Sequence, residues 1–149
     1  MLKARPHIPR IVITGGPSGG KTSALSMLLQ KLPSLGYAPF TVPEVATLIL
    51  SGGVRIGDIV NDQALYAMFQ EQILRAQLDF ERRWKKFAQI QPGEKKIIIC
   101  DRGSMDGKAY IEPGIFSAIF RKLGTTESDL RDKRYDAVFH MVTAAFGAE

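Results

Sequence analysis

Cysteine and histidine are scarce in this sequence, and their scarcity argues against two kinds of stabilisation. The 149 residues include one cysteine, Cys100, and two histidines, His7 and His140. One thiol cannot form a disulfide within the chain, so we expect a reducing compartment, the cytoplasm. The two histidines have no other metal-ligating residue at a suitable spacing, which argues against a zinc site. Cys100 ends the apolar run Ile97–Cys100 and is interpreted as a buried strand residue.

Long hydrophobic runs are also missing. No apolar stretch approaches the roughly 20 residues that a membrane-spanning helix needs, so we expect no transmembrane segment. The first ten residues are basic and contain no apolar core of the kind found in secretion signals. Twenty lysines and arginines against 15 aspartates and glutamates give a net charge of +5. The basic residues are scattered and no nucleic-acid-binding motif accompanies them, so we expect no nucleic-acid partner.

The sequence does contain a regular alternation of short apolar segments with amphipathic ones. Its hydrophobic content of 45% and charged content of 23% are ordinary for one globular domain. Strands that alternate with helices predict an α/β fold with a parallel sheet. The predicted strands are 11–13, 37–42, 96–100 and 136–142, and the predicted helices are 21–32, 43–50, 61–87, 115–123 and 127–132.

The longest predicted helix carries an apolar stripe and a row of glutamines. Gln63, Gln70 and Gln77 are seven residues apart and share one face, with Tyr66 beside them. Two interpretations stay open: these side chains line an acceptor pocket, or they form a polar outer face, which is the interpretation we favour. The apolar stripe recurs at steps of three and four residues and consists of Leu65, Phe69, Ile73, Ala76, Phe80, Trp84 and Phe87.

A glycine-rich stretch lies between the first predicted strand and the first predicted helix. It matches G-x-x-x-x-G-K-[ST], the Walker A phosphate-binding loop or P-loop. Glycine lets the main chain approach a polyphosphate closely and adopt positive φ, and the helix start offers unpaired N–H groups to the same anion. Lys21 is expected to bring a positive charge to the β- and γ-phosphates. The predicted nucleotide-binding residues are Gly15, Gly16, Pro17, Ser18, Gly19, Gly20, Lys21, Thr22 and Ser23.

Two oxygen donors are predicted to hold Mg²⁺ beside this loop. Thr22 offers a hydroxyl at the helix start. Asp101 follows the apolar strand 96–100, which is the Walker B arrangement, and its carboxylate can hold the ion directly or through water. Because both motifs occur in one chain, the predicted cofactors are Mg²⁺ and ATP or GTP.

The residues next to these motifs predict an acceptor side. Arg102 follows Asp101 directly, and its planar guanidinium suits phosphate binding, with a solvated loop arginine or a surface Asp–Arg pair as the equal alternative. Glu44 follows the second strand, where a carboxylate can act as base toward an acceptor hydroxyl. The alternative for Glu44 is the first-turn acid of a helix that begins after Pro43. Three charged residues of predicted loops near the strand ends receive no individual role: Asp106, Lys108 and Arg55.

Several stretches together resemble one family: residues 10–22, 42–46, 100–103 with 106–110, and 135–145. They look like the AAA-type, NadR-like P-loop domain found in the translocation-defect proteins of eukaryotes. The resemblance covers nearly the whole chain and implies nucleoside-triphosphate binding on a kinase-like core. It also implies a P-loop NTPase three-layer sandwich with a parallel sheet of strand order 2-3-1-4-5.

The resemblance further implies that a fifth strand, a lid and a base-recognition loop follow Glu149. We therefore expect residues 1–149 to form a single, C-terminally incomplete nucleoside-triphosphate-binding domain with sheet order 2-3-1-4. Members of the family are associated with GTP binding, and their separate C-terminal domain with phosphoinositide lipids. A lipid partner is accordingly expected only for a protein that contains that second domain.

Two functions remain as hypotheses. The first is Mg²⁺-dependent binding of a purine nucleoside triphosphate, with hydrolysis or kinase-like phosphoryl transfer to a small-molecule acceptor. The alternative is a regulatory GTP-binding module with negligible turnover that acts through a protein or lipid partner. The sequence contains no guanine-reading Asn-Lys-x-Asp motif, but that loop is expected after Glu149, so ATP and GTP both stay open. The predicted catalytic residues are Lys21, Asp101, Arg102 and Glu44.

Overall fold

A computed structural model gives the fold and describes residues 5–16, 19–93 and 95–142. The strands are β1 (Arg10–Gly15), β2 (Tyr37–Val42), β3 (Lys95–Asp101) and β4 (Ala137–Met141). They form one parallel sheet of order β2-β3-β1-β4, so the predicted order is confirmed. β2 is an edge strand, which is where its internal proline, Pro39, is tolerated.

Helices connect successive strands, as parallel pairing requires. They are α1 (Lys21–Lys31), α2 (Val45–Ser51), α3 (Gln63–Ile90), α4 (Pro113–Lys122) and α5 (Glu127–Arg131). α3 has 28 residues and is about 42 Å long at 1.5 Å per residue. In the described residues, no helix combines the length and the apolar character needed to cross a bilayer.

Helices cover both faces of the sheet and make it a three-layer sandwich. Alternate strand residues point to opposite faces, so Ile13 and Ile99 pack under α1 while Val12 and Ile98 pack under α3. Burial on both faces explains why β1 and β3 are continuous apolar runs. Cys100 is fully buried on the α3 side, as predicted, and burial raises the pKa of its thiol.

The buried face of α3 differs from the predicted apolar stripe. Leu65 and Phe87, the two ends of that stripe, are 43% and 51% exposed. The buried positions lie one residue further along the helix and include several polar side chains: Gln70, Glu71, Leu74, Gln77, Glu81 and Ala88. The prediction that the glutamines form an outer face is therefore wrong for Gln70 and Gln77.

Three of these polar side chains, Glu71, Gln77 and Glu81, have hydrogen-bond partners that make their burial acceptable. Glu81 is fully buried and accepts hydrogen bonds from Arg134 Nε at 2.6 Å and from Arg10 Nη1 at 3.1 Å. Its other oxygen accepts hydrogen bonds from the Tyr135 hydroxyl at 2.7 Å and from Gln77 Nε2 at 2.8 Å. The charge of Glu81 is thus compensated by two arginines, and the network ties α3 to both ends of the described chain.

Candidate functional site

The candidate site lies where the carboxyl ends of β1, β2 and β3 meet, which is the usual ligand crevice of an open α/β sheet. The glycine-rich loop leaves β1 at Gly15 and reaches α1 at Lys21. Ile13 pairs with Asp101 in the sheet, so β3 brings its terminal carboxylate beside the start of the loop. Sheet register therefore joins two motifs that are about 80 residues apart in sequence.

Three glycines of the loop, Gly15, Gly19 and Gly20, occupy positions that disfavour other residues. Gly15 has φ +143°, and a Cβ atom there would lie 2.2 Å from the carbonyl oxygen of Met141. Gly20 has φ +78°, a left-handed conformation that suits glycine. A Cβ atom on Gly19 would lie 3.1 Å from the Met141 oxygen. The predicted residues Pro17 and Ser18 lie outside the described part of the chain.

The start of α1 is suited to an anion. Gly20 is its N-cap residue and provides no side-chain oxygen, and the first turn contains no acidic residue. The first main-chain N–H groups of the helix have no intrahelical acceptor, so an anion can take their hydrogen bonds. Thr22 and Ser23 are exposed in this first turn, where their hydroxyls are accessible.

Lys21 and Asp101 lie together beside the loop. Lys21 Nζ is 3.9 Å from Asp101 Oδ1, and both side chains are largely shielded from solvent. Burial raises the pKa of Asp101, and Lys21 partly opposes this rise. Oδ1 of Asp101 is buried and has no hydrogen-bond partner among the described residues, which is a costly arrangement without a further ligand.

This unpartnered oxygen fits a divalent cation. Mg²⁺ is usually held by one or two protein oxygens together with phosphate oxygens and waters. The Asp101 carboxylate and the exposed Thr22 hydroxyl are oxygen donors of this kind. Within the described ranges no group of three or more His, Cys, Asp or Glu residues is placed to hold a metal, and a phosphate-bridged Mg²⁺ does not need one.

Arg102 bridges the loop and the second strand. Its Nε donates to Glu44 Oε1 at 3.1 Å, and its Nη1 donates to the Gly15 carbonyl at 3.1 Å. Its backbone has φ +71°, the single positive value for a non-glycine residue in the described chain. Gln77 Nε2 donates a hydrogen bond to the Arg102 carbonyl at 3.2 Å. With a side chain only 20% exposed, Arg102 is not the solvated loop arginine of the sequence-based alternative.

Glu44 combines features of both sequence interpretations. It is the N-cap residue of α2, but its side chain makes no capping hydrogen bond with the described residues. Instead its carboxylate pairs with Arg102. Glu44 therefore lies beside Arg102 with its charge compensated, and its role toward an acceptor stays a prediction.

A cavity of about 230 Å³ opens next to Arg102 and Glu44. Its walls come from α2, α3 and the segment after β3, and they are mostly apolar and aromatic, including Tyr66, Phe69 and Phe116. The buried Gln70 and Gln77 also line it, whereas Gln63 is exposed. Of the two interpretations of the glutamine row, the pocket-lining one fits Gln70 and Gln77.

Asp106, to which the sequence assigns no role, also lines this cavity. Its Oδ2 accepts hydrogen bonds from Thr14 Oγ1 at 2.8 Å and from Gly103 N at 3.3 Å, and lies 3.9 Å from Arg102 Nη1. Burial raises the pKa of Asp106, although the bonds from Thr14 and Gly103 oppose this. In the sequence it is marked by its place in a predicted loop near the strand ends and in the stretch 106–110 that carries the family resemblance.

The two other unassigned residues lie away from the cavity lining. Lys108 pairs with Glu127 at 2.7 Å, and Arg55 pairs with Asp58 at 2.8 Å. Both pairs are largely exposed, so they contribute little to stability. Of the three charged loop residues that the sequence names without a role, only Asp106 lines the cavity, and Lys108 and Arg55 belong to surface pairs.

Comparison with known proteins identifies one family. The sequence pattern described as AAA domain matches residues 10–148, which run from β1 past β4 and include both the glycine-rich loop and Asp101. No curated protein matches the chain. AAA domains are nucleotide-binding domains of the P-loop type, in agreement with the loop geometry described above.

Proposed function

This chain belongs to the AAA domain family, and on that premise we propose that it binds ATP or GTP, with Mg²⁺, at the loop formed by residues 15–22. Gly15 and Gly20 let the main chain curve around the phosphates, and the α1 start directs N–H groups at them. Lys21 adds a full positive charge at the β- and γ-phosphates. Thr22 and Asp101 would hold Mg²⁺, which when bound neutralises the charge that develops on the phosphate oxygens.

We further propose that the domain transfers the γ-phosphoryl group to a hydroxyl of a small molecule. The cavity of about 230 Å³ carries this proposal, because Arg102 separates it from the glycine-rich loop by a single side chain. A concave, mostly apolar space with a few polar groups is typical of small-molecule sites. A regulatory GTP-binding module needs the phosphate loop but has no need of such a cavity.

Catalysis at this site would consist of positioning and charge stabilisation. Lys21 lies 3.9 Å from Asp101, at the end where the γ-phosphate is expected. Arg102 already contacts the loop at Gly15 and can move its guanidinium to a phosphate oxygen with little displacement. These two cations would neutralise the transferred group, while the cavity holds the acceptor.

We infer that the domain is of the NadR-like, kinase-like type found in translocation-defect proteins. Arg102, Gly103 and the segment after them line the cavity, and Arg102 also contacts the glycine-rich loop, which supports a kinase-like site.

The nucleotide site is tested by Lys21→Ala, with Lys31→Ala in the last turn of the same helix as the matched control. Isothermal titration with Mg·ATP and Mg·GTP is expected to show binding to the wild type and to Lys31→Ala. Lys21→Ala is expected to lose measurable affinity, because it removes the charge that neutralises the β- and γ-phosphates. Unchanged affinity in Lys21→Ala, with normal thermal unfolding, would contradict the assignment of the loop.

Transfer is tested with γ-labelled ATP and GTP and a panel of small alcohols, nucleosides and sugars. The expected result is a labelled product that forms with one acceptor class in excess of inorganic phosphate. Tight binding without any labelled product or phosphate would favour the regulatory alternative. Competition between ATP and GTP in the same assay identifies the preferred base.

A further inference from the structure

Resting on the proposed function, we infer that Asp106, rather than Glu44, is the base that accepts the proton of the acceptor hydroxyl during phosphoryl transfer. Both carboxylates line the same cavity, so either is within reach of a bound acceptor. They differ in their partners: Glu44 accepts from the charged guanidinium of Arg102, whereas the two hydrogen bonds to Asp106 come from a hydroxyl and a main-chain N–H.

Glu44 is occupied by an ion pair. Its Oε1 accepts from Arg102 Nε at 3.1 Å, and the two side chains shield each other from solvent. A base must have an accessible lone pair and must gain from receiving a proton. Protonating Glu44 would instead break a charge-assisted hydrogen bond and leave Arg102 without its partner. Glu44 is better suited to hold Arg102 in place.

Asp106 has one anchored oxygen and one free oxygen. Thr14 and Gly103 both donate to Oδ2, which fixes the orientation of the carboxylate. Among the described residues, Oδ1 receives no hydrogen bond, so it remains available to an acceptor in the cavity. Burial raises the pKa of Asp106, which makes its carboxylate a stronger base than an exposed aspartate.

The position of Asp106 connects the cavity with the phosphate loop. Its partner Thr14 directly precedes Gly15, the first residue of that loop. The carboxylate also lies 3.9 Å from Arg102 Nη1, the group that donates to the Gly15 carbonyl. Asp106 is therefore placed at the boundary where an acceptor hydroxyl would approach the γ-phosphate.

The proposed step transfers one proton to Asp106 and one phosphoryl group to the acceptor. The acceptor, a small alcohol or water, gives its hydroxyl proton to Oδ1 of Asp106 as its oxygen forms a bond to the γ-phosphorus. The bond from the γ-phosphorus to the β–γ bridging oxygen breaks, and its electron pair stays on the leaving nucleoside diphosphate. Lys21 and Arg102 neutralise the charge on the phosphate oxygens.

A purely structural role for Asp106 is the competing explanation. The bonds from Gly103 and Thr14 close the turn 103–106 and tie it to β1. Asp106→Asn separates the two roles, because an amide oxygen can accept both hydrogen bonds while the amide cannot take a proton as a base.

The experiment compares wild type with Asp106→Asn, Glu44→Gln and the exposed control Asp132→Asn. Release of labelled phosphate from Mg·ATP and Mg·GTP, with water as acceptor, gives kcat and KM, isothermal titration gives nucleotide affinity, and thermal unfolding reports folding. We expect Asp106→Asn to lower kcat by about 10²-fold or more, the usual range for loss of a general base. Its nucleotide affinity and unfolding temperature should stay near the wild-type values. Glu44→Gln should lower kcat by less, and Asp132→Asn should leave it unchanged.

Four results would overturn the inference. The first is that Asp106→Asn turns over like the wild type, and the second is that Glu44→Gln loses more turnover than Asp106→Asn. The third is that Asp106→Asn loses folding and nucleotide affinity together, which would indicate a structural role. Wild type that binds Mg·ATP or Mg·GTP but transfers phosphate neither to water nor to any acceptor of the panel also overturns it, while leaving the nucleotide site intact. Wild type that binds neither nucleotide overturns the proposed function itself.

Discussion

Replacing Glu81 by glutamine removes one charge from the centre of the domain while keeping the volume of the side chain. Glu81 is fully buried, and its two oxygens accept four hydrogen bonds, two of them from arginines. Glutamine retains one acceptor oxygen but places an amide N–H₂ opposite the guanidinium donors. Arg10 and Arg134, whose side chains are 17% and 20% exposed, then lose their counter-charge in a largely buried setting.

The expected cost is about 3–5 kcal/mol, the range for removing one partner of a buried ion pair. Domains of this size are usually stable by about 5–15 kcal/mol, so the loss is a large part of the total. At about 2–4 °C per kcal/mol, the melting temperature should fall by between about 6 and 20 °C. Thermal and urea unfolding followed by circular dichroism measure both quantities.

The matched control is Asp79→Asn on the same helix. Asp79 pairs with Arg82 and Arg83, but these side chains are exposed, so Asp79→Asn should leave the unfolding transition close to that of the wild type. If Glu81→Gln unfolds as close to the wild type as this control does, then the buried network does not carry the stability assigned to it. The reasoning about α3 would then be refuted.

Two further predictions concern the loop and Asp106. Gly15→Ala should destabilise the domain and weaken nucleotide binding in titration, because its Cβ would meet the Met141 oxygen at 2.2 Å. Gly53→Ala, which has φ +114° in open space, should cost only the backbone strain of about 1–3 kcal/mol. Carboxyl NMR should show a pKa of Asp106 above the ordinary value of 3.8, because burial raises it more than Thr14, Gly103 and the charges of Arg102 and His140 lower it. Thr14→Val should raise this pKa further, because it removes a hydrogen bond that favours the charged carboxylate. A midpoint in Thr14→Val at or below that of the wild type would contradict this account.

The sheet and the phosphate loop could be predicted because their signals are local. Apolar runs such as Ile97–Cys100 are long enough to identify strands that are buried on both faces. The loop needs glycine at fixed positions for steric reasons, and the strands must deliver their carboxyl ends to one edge of the sheet. Asp101 could therefore be placed beside Lys21 from the sequence alone.

The orientation of α3 could not be predicted because its partners are distant in sequence. Hydrophobicity alone predicts that α3 buries the face containing Phe69, Ile73 and Phe80. Glu81, however, meets Arg134 and Arg10, which are 53 and 71 residues away, and such partners make burial of a charge acceptable. Asp106 could be named from the sequence but not given a role for the same reason, since its environment depends on contact with Thr14, 92 residues earlier.

The buried network and the candidate site meet at one side chain, Gln77. Its amide nitrogen donates both to Glu81 and to the carbonyl of Arg102, the residue with the strained positive φ. Strain of this kind persists only where surrounding contacts hold it in place. The two hydrogen bonds of Gln77 therefore connect the backbone of Arg102 to the buried network. From this fixed backbone, the Arg102 side chain contacts both Gly15 and Glu44. A charge buried for stability in α3 thus also determines the geometry at the boundary between the phosphate loop and the cavity.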